Sequence, residues 1–306
     1  MTTPTRPIGR CAYVHYTYTV VRNQLNGTIP NEIAMLQSLV TLRLRDNYLY
    51  GTIPNQLGGV GPSRSFLRDV DLSDNFLTGT IPDTLSSQHL PNLENIVLSI
   101  NALSGTLPPT IFQNLDTLEY VELDINYLSG TLPEFSSSRT TGTSNSNSKM
   151  RYLALSYNLF NGTIPESLYD AVSPNLRLLY LVDNWFTGTI SSSVSKLTNL
   201  EFLWLKDNFF SGTMPTTLGE MSNLLRIELS INWCSGSVPT ELGTMERLQS
   251  FDIFANYFTG TLPSEIATIR TLSRLDLRLN DFTGSIPYEF ASMTTQLGKF
   301  SCVYMG

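Results

Sequence analysis

One string recurs along the whole chain, Asn-x-Leu/Phe-x-Gly-Thr/Ser-Ile/Leu-Pro, with few departures. Its asparagines are Asn23, Asn47, Asn75, Asn101, Asn126, Asn158, Asn184, Asn208, Asn232, Asn256 and Asn280, spaced 24, 28, 26, 25, 32, 26, 24, 24, 24 and 24 residues apart. Before each comes Leu-x-x-Leu-x-Leu-x-x, as in Leu39, Leu42 and Leu44 before Asn47, and the first unit is degenerate there (Tyr18, Val20). A fixed period of this length means stacked units, none of which can bury its apolar face alone. The 306 residues would otherwise suggest two domains. Here they predict one elongated array.

Each letter of the unit has a physical reading. Leu-x-Leu is a short strand of period two, with both leucines inward and their neighbours outward. The Asn amide both donates and accepts, so it can satisfy turn backbone that stacking would bury unpaired. Gly51 or Gly212 suits a tight bend or a close backbone approach. Pro54 or Pro215 ends the strand and opens an outer segment whose apolar residues are spaced by three, as in Ile33, Leu36 and Leu39, which predicts a 3₁₀ turn. Ser191 replaces the proline in one unit, Gly188-Thr189-Ile190-Ser191.

The unit resembles the plant-type leucine-rich repeat, LxxLxLxxNxLxGxIP, found in receptor-kinase ectodomains and polygalacturonase-inhibiting proteins. The resemblance covers about residues 15 to 303. The near-fixed Gly-Thr-Ile/Leu-Pro is also similar to repeats of algal proteins. It implies an α/β repeat solenoid: a right-handed superhelix with a concave parallel sheet and convex 3₁₀ turns. Members of the family usually carry paired-cysteine caps. Here Cys11 stands alone in an irregular segment, 1–14, and Leu297, Phe300 and Cys302 begin a twelfth unit that stops. The expectation is an array of eleven repeats and a partial twelfth, with more chain or a partner at its ends. Cys234 occupies an inward leucine position and reads as a core thiol. The interval of 32 contains Ser136 to Lys149, devoid of apolar residues and expected to loop out. Gly58-Gly59-Val60-Gly61 and Ser86-Ser87-Gln88-His89 are smaller insertions; the glycine cluster lacks the Gly-Lys-Ser/Thr of a phosphate loop.

Composition excludes several functions. Only 15% of residues are charged, the net charge is −7 and four lysines are present, which argues against a nucleic-acid partner. No apolar run is long enough to span a membrane, and the first thirty residues hold no signal-peptide core. The two histidines, His15 and His89, lie far apart with no evident partner, so neither a catalytic triad nor a His/Cys metal site is expected, and no cofactor. Glu228, Asp252 and Asp276 share one outward position in successive units. They read as a site for a cation or basic ligand, as a carboxylate pair for acid/base work, or as an ion-pair lattice with Arg226, Arg274 and Arg278.

Three surfaces remain for binding. On the concave sheet the middle units place Tyr120, Glu122, Tyr152, Leu178, Tyr180, Phe202 and Trp204 outward, between charged positions such as Arg43, Asp71, Arg226, Glu228 and Asp252. Aromatic centre and charged rim is the anatomy of a binding patch. Just after the Asn come Tyr48, Phe76, Tyr127, Trp185, Phe209, Trp233 and Tyr257. They form either an exposed apolar edge or rings folded flat to seal the core. Thr/Ser pairs flanking the glycines, such as Thr78/Thr80, Thr187/Thr189 and Thr259/Thr261, make an uncharged ladder similar to that of ice-binding proteins, or one explained by strand propensity and ladder hydrogen bonds. Two sequons, Asn26-Gly27-Thr28 and Asn161-Gly162-Thr163, share one outward position and are glycosylation candidates in a secreted chain. The sequence thus predicts a non-enzymatic extracellular or cell-surface recognition module, binding a protein, peptide or cell-wall glycan on its concave face. The alternatives are a self-associating structural protein and an ice-binding protein.

Overall fold

A computed structural model describes residues 16–295 except 37, 59–65, 87–88, 114 and 137–147. Cys11, His15, Leu297, Phe300, Cys302, the 1–14 segment, the partial twelfth unit and most of the three insertions lie outside the described residues. Each unit contributes one strand to each of two eleven-stranded parallel sheets, both in strict chain order. The first sheet is the concave one; its central strands are Tyr120–Glu122, Tyr152–Ala154, Leu178–Tyr180, Phe202–Trp204 and Arg226–Glu228. The second sheet carries the Gly-Thr positions, as in Trp185–Thr189 and Phe209–Thr213. The outer segments are 3₁₀ turns such as Thr216–Glu220 and Thr240–Thr244. Repeat six, whose outer segment is longer, has an α-helix over Glu166–Val172 instead.

The inward leucines form a continuous core with Phe160, Phe186 and Phe210, stacked about one strand spacing apart. Through that core runs a column of buried asparagines. Asn158 Nδ2 donates to Leu155 O in its own unit (3.2 Å) and to Leu123 O in the unit before (3.0 Å), while its Oδ1 accepts from Leu128 N at 3.0 Å. The pattern repeats at Asn184, Asn208, Asn232 and Asn256. One side chain thus pairs groups from two units that would otherwise be buried and unmet, at a cost of roughly 1–3 kcal/mol each.

The glycine is required twice over. Gly188 has φ +83°, and a Cβ on it would lie 2.6 Å from Thr163 Cγ2 of the preceding unit. Each threonine methyl therefore rests on the next unit's bare glycine. Where proline is missing, Ser191 caps the 3₁₀ turn by accepting from Ser193 N at 3.1 Å. Cys234 is buried as expected, and burial pushes its thiol up to about 12. Ser136 bridges to Gln113, Ser148 is fully buried, and Lys149 N donates to Leu115 O.

Candidate functional site

Parallel register converts sequence columns into side-chain rows about 4.8 Å apart. Tyr120, Tyr152, Leu178, Phe202 and Arg226 fall in one row, and Glu122, Ala154, Tyr180, Trp204, Glu228, Asp252 and Asp276 in the next. The rings join across the two rows. Tyr120 stacks on Tyr152 (centroids 6.0 Å apart), Tyr152 meets Tyr180 edge-on (5.5 Å), and Tyr180 lies flat against Trp204 (4.2 Å). Phe202 abuts Trp204 edge-on at 6.1 Å, and the Arg226 guanidinium sits 5.7 Å from the Phe202 centroid. The aromatic patch read from sequence is therefore one contiguous surface over four units.

The charged rim is not uniform. Asp252 and Asp276 are buried, and each is taken by an arginine: Asp252 by Arg274 at 2.7 Å, Asp276 by Arg278 at 2.6 Å. Asp252 is thus paired within the fold. The lattice reading holds for those two pairs but not for Arg226, which lies over Phe202. Among the described residues Glu122, Asp124 and Glu228 have no ion pair. Burial raises all three carboxyls. For Glu122 the Asp71 charge adds to it, for Glu228 the Asp252 charge does. Asp124 is pushed up to about 6 by burial, against the hydrogen bond donated by Ser156 N at 2.6 Å and with a contribution from Glu122.

A third outward row, just past the strands, holds Asp124, Ser156, Val182 and Lys206, and none was singled out from sequence. With Tyr180, Trp204 and Glu228 it lines a cleft of about 320 Å³. Two more of its walls, Ile125 and Tyr157, precede the Asn of their units at φ +55°. That left-handed conformation suits Asp or Asn and strains β-branched residues. Asp46, Asp74, Asp183 and Asp207 meet the requirement; Ile100, Ile125 and Ile231 do not, and all three are exposed. The position before the Asn was the signal that could have revealed them.

On the aromatic edge the rings stand out rather than sealing the core: Tyr127 is 61% exposed, and even Phe209, the least exposed, 36%. Tyr48 stacks on Phe76 (6.2 Å), and Phe209 tilts against Trp233 (5.0 Å). The threonine ladder is exposed too, but packing accounts for its regularity. Methyls rest on glycines, and hydroxyls such as Thr78 Oγ1 and Ser211 Oγ face Gly51 O and Gly188 O at 3.3 and 3.4 Å. Asn26 and Asn161 are exposed, each beside a ring of the next unit, Tyr48 and Trp185. No helix among the described residues is long and apolar enough to cross a membrane.

Stacked Leu-x-Leu strands, an asparagine column and 3₁₀ outer turns together make the architecture of a leucine-rich repeat solenoid. A family profile described as Leucine Rich Repeat matches residues 38–60, 66–88, 175–197, 199–221 and 271–293. A comparison with curated protein sequences finds no match. Among solved structures the chain is similar to a TDR receptor, with 30% identity over 89% of this chain and 44% of that one, at a TM-score of 0.78. It is similar to the Arabidopsis receptor kinase HAESA, solved with the peptide hormone IDA and the co-receptor SERK1, with 32% identity over 92% of this chain and 48% of that one, at 0.72. A plant ice-binding protein shares the fold at 24% identity over 87% of this chain and 81% of that one, with a TM-score of 0.65. The chain spans less than half the length of the first two.

Proposed function

We propose that the chain is a non-enzymatic extracellular recognition module whose ligand lies across the concave face of repeats five to nine. The observation that carries this is the contiguous Tyr120–Tyr152–Tyr180–Trp204 ring chain beside unpaired carboxylates. Aromatic rings on a rigid sheet supply contact area at low entropic cost. The likeness to HAESA, solved with a peptide hormone and a co-receptor, supports a peptide or protein ligand. The test is selection from a random-peptide display library, followed by Trp204→Ala and Tyr180→Ala. Enriched peptides should lose at least about 2 kcal/mol of binding to either variant, the size of a hot-spot contact, with circular dichroism unchanged. Full affinity in both variants removes the concave site.

A second reading, lateral self-association or docking through the aromatic edge, rests on the exposed rings from Tyr48 to Tyr257. Sedimentation as a monomer at high concentration removes the self-association form of it. Glycosylation at Asn26 and Asn161 fits the concave reading, since each lies on the second sheet away from that patch, and would crowd the edge, since each lies beside one of its rings.

A further inference from the structure

We infer that the cleft between repeats five and nine is a saccharide subsite, taking one neutral sugar ring between Asp124, Tyr180, Trp204, Lys206 and Glu228. The inference rests on the concave face being a recognition surface and names what part of the ligand enters it.

The argument is chemical complementarity. The cleft's volume, about 320 Å³, lies at the small end of the roughly 300–1,000 Å³ of ligand pockets, so it fits a ring rather than a large group. Its lining includes the stacked Tyr180–Trp204 pair and the apolar surfaces of Ile125 and Tyr157. Its polar groups alternate in kind. Asp124 and Glu228 offer acceptors, Lys206 offers donors, and Ser156 sits on the floor with its hydroxyl accepting from Val182 N at 3.1 Å. Hydroxyl groups both donate and accept, and a sugar ring sets them around an apolar C–H face.

Other ligand chemistries fit worse. A basic side chain would match the two carboxylates but meet Lys206 as a like charge. An anion would face Asp124, Glu228 and Glu122. A purely apolar group would bury those carboxylates without partners, and burial already raises each of them.

The ring can arrive on a free oligosaccharide or on a glycosylated peptide, and the experiment has an arm for each. The chain carries three tryptophans. Trp185→Phe with Trp233→Phe, both on the aromatic edge, leaves Trp204 as the sole indole reporter. The first arm titrates this protein with gluco-, xylo-, manno- and galacto-oligosaccharides. The second uses synthetic peptides O-linked to the same sugars, each with its unglycosylated twin. At least one neutral sugar should shift Trp204 emission saturably. Asp124→Asn and Lys206→Met should each weaken it at least about tenfold, while Asp276→Asn, outside the cleft, should not. Signal in the first arm identifies a free glycan. Signal only in the second, absent from the twin, identifies a glycopeptide. Failure of every sugar in both arms, or equal binding to Asp124→Asn and Lys206→Met, overturns the subsite. A peptide that needs Tyr180 and Trp204 but ignores sugars leaves the recognition reading standing and removes only this one.

Discussion

The middle and the C-terminal stretches of the concave sheet are built from the same columns and handle charge in opposite ways. In repeats ten and eleven, Asp252 and Asp276 are buried and each is met by an arginine, so their charge is spent inside the protein. In repeats five to nine, Glu122, Asp124 and Glu228 are raised by burial, as Asp252 is, but have no ion pair among the described residues. Arg226, their nearest counterpart to Arg274 in the register, lies over Phe202 instead. Internal pairing fixes structure and leaves nothing for a ligand. Desolvated, unpaired groups beside half-exposed rings are costly to the free protein and useful to a complex.

The largest effect should come from breaking the pairing where it exists. Arg274→Met leaves Asp252, 5% exposed, without its cation. Removing one partner of a fully buried pair costs about 3–5 kcal/mol. The Arg274 guanidinium is itself half in solvent, so the expected loss is about 1–2 kcal/mol. Arg226→Met removes the equivalent residue of the middle stretch and only an exposed cation–π contact, worth about 0.5–1 kcal/mol. Paired denaturant melts check the ordering. Equal losses would erase the distinction between the two stretches.

A smaller effect of opposite sign should appear at the cleft mouth. Ile125→Asn places a side chain that tolerates the left-handed region at φ +55°. Since Ile125 is exposed, little burial is lost, and stability should rise by about 1 kcal/mol. The same exchange at Asp207, where the residue already suits its backbone, should change little. A destabilised Ile125→Asn variant would show that this isoleucine packs for stability and is not held out for a ligand.

How legible these two regions were in sequence follows from which positions the unit fixes. The inward leucines, the asparagine column, Gly and Pro recur because stacking repeats their environment, so the fold could be read from them. Outward strand residues could be placed by alternation alone, and Tyr120, Tyr152, Tyr180 and Trp204 do form one patch. Asp124, Ser156 and Lys206 were missed because they lie just beyond the strands, between the last leucine and the asparagine, where neither period two nor the motif letters say which way a side chain turns. Ile125 and Tyr157 were missed for a different reason: their peculiarity is a backbone angle, visible in sequence only as a departure from the Asp found at Asp46, Asp74, Asp183 and Asp207. Which arginine meets Asp252 could not be read, because its partner comes from the next unit. The register pairs Ser250 with Arg274, which brings that guanidinium diagonally onto Asp252.

The finest difference between the stretches is in the sign of their pH dependence. Burial alone would raise the Asp276 carboxyl, but the hydrogen bonds from the Arg278 side chain and N–H, with the charges of Arg278 and Arg274, outweigh it, and the net shift is downward. A depressed carboxyl stabilises the fold above its unfolded value, near 3.8, and loses that contribution as pH falls through the folded one. Asp124 runs the other way. Its folded value, about 6, lies above the unfolded 3.8, so its contribution is full below the unfolded value and is lost as pH rises through 6. Asp124→Asn keeps an oxygen for the Ser156 N–H and cannot ionise. The wild type should therefore lose melting temperature relative to Asp124→Asn between about pH 4 and pH 7, and Asp276→Asn should instead lose stability relative to wild type at neutral pH and converge with it in acid. Parallel melting-temperature profiles for the three proteins would contradict both assignments. Crossing profiles would show that one concave face holds a carboxylate that the fold needs ionised and, in a neighbouring row, another that it would sooner leave protonated, until something enters the cleft.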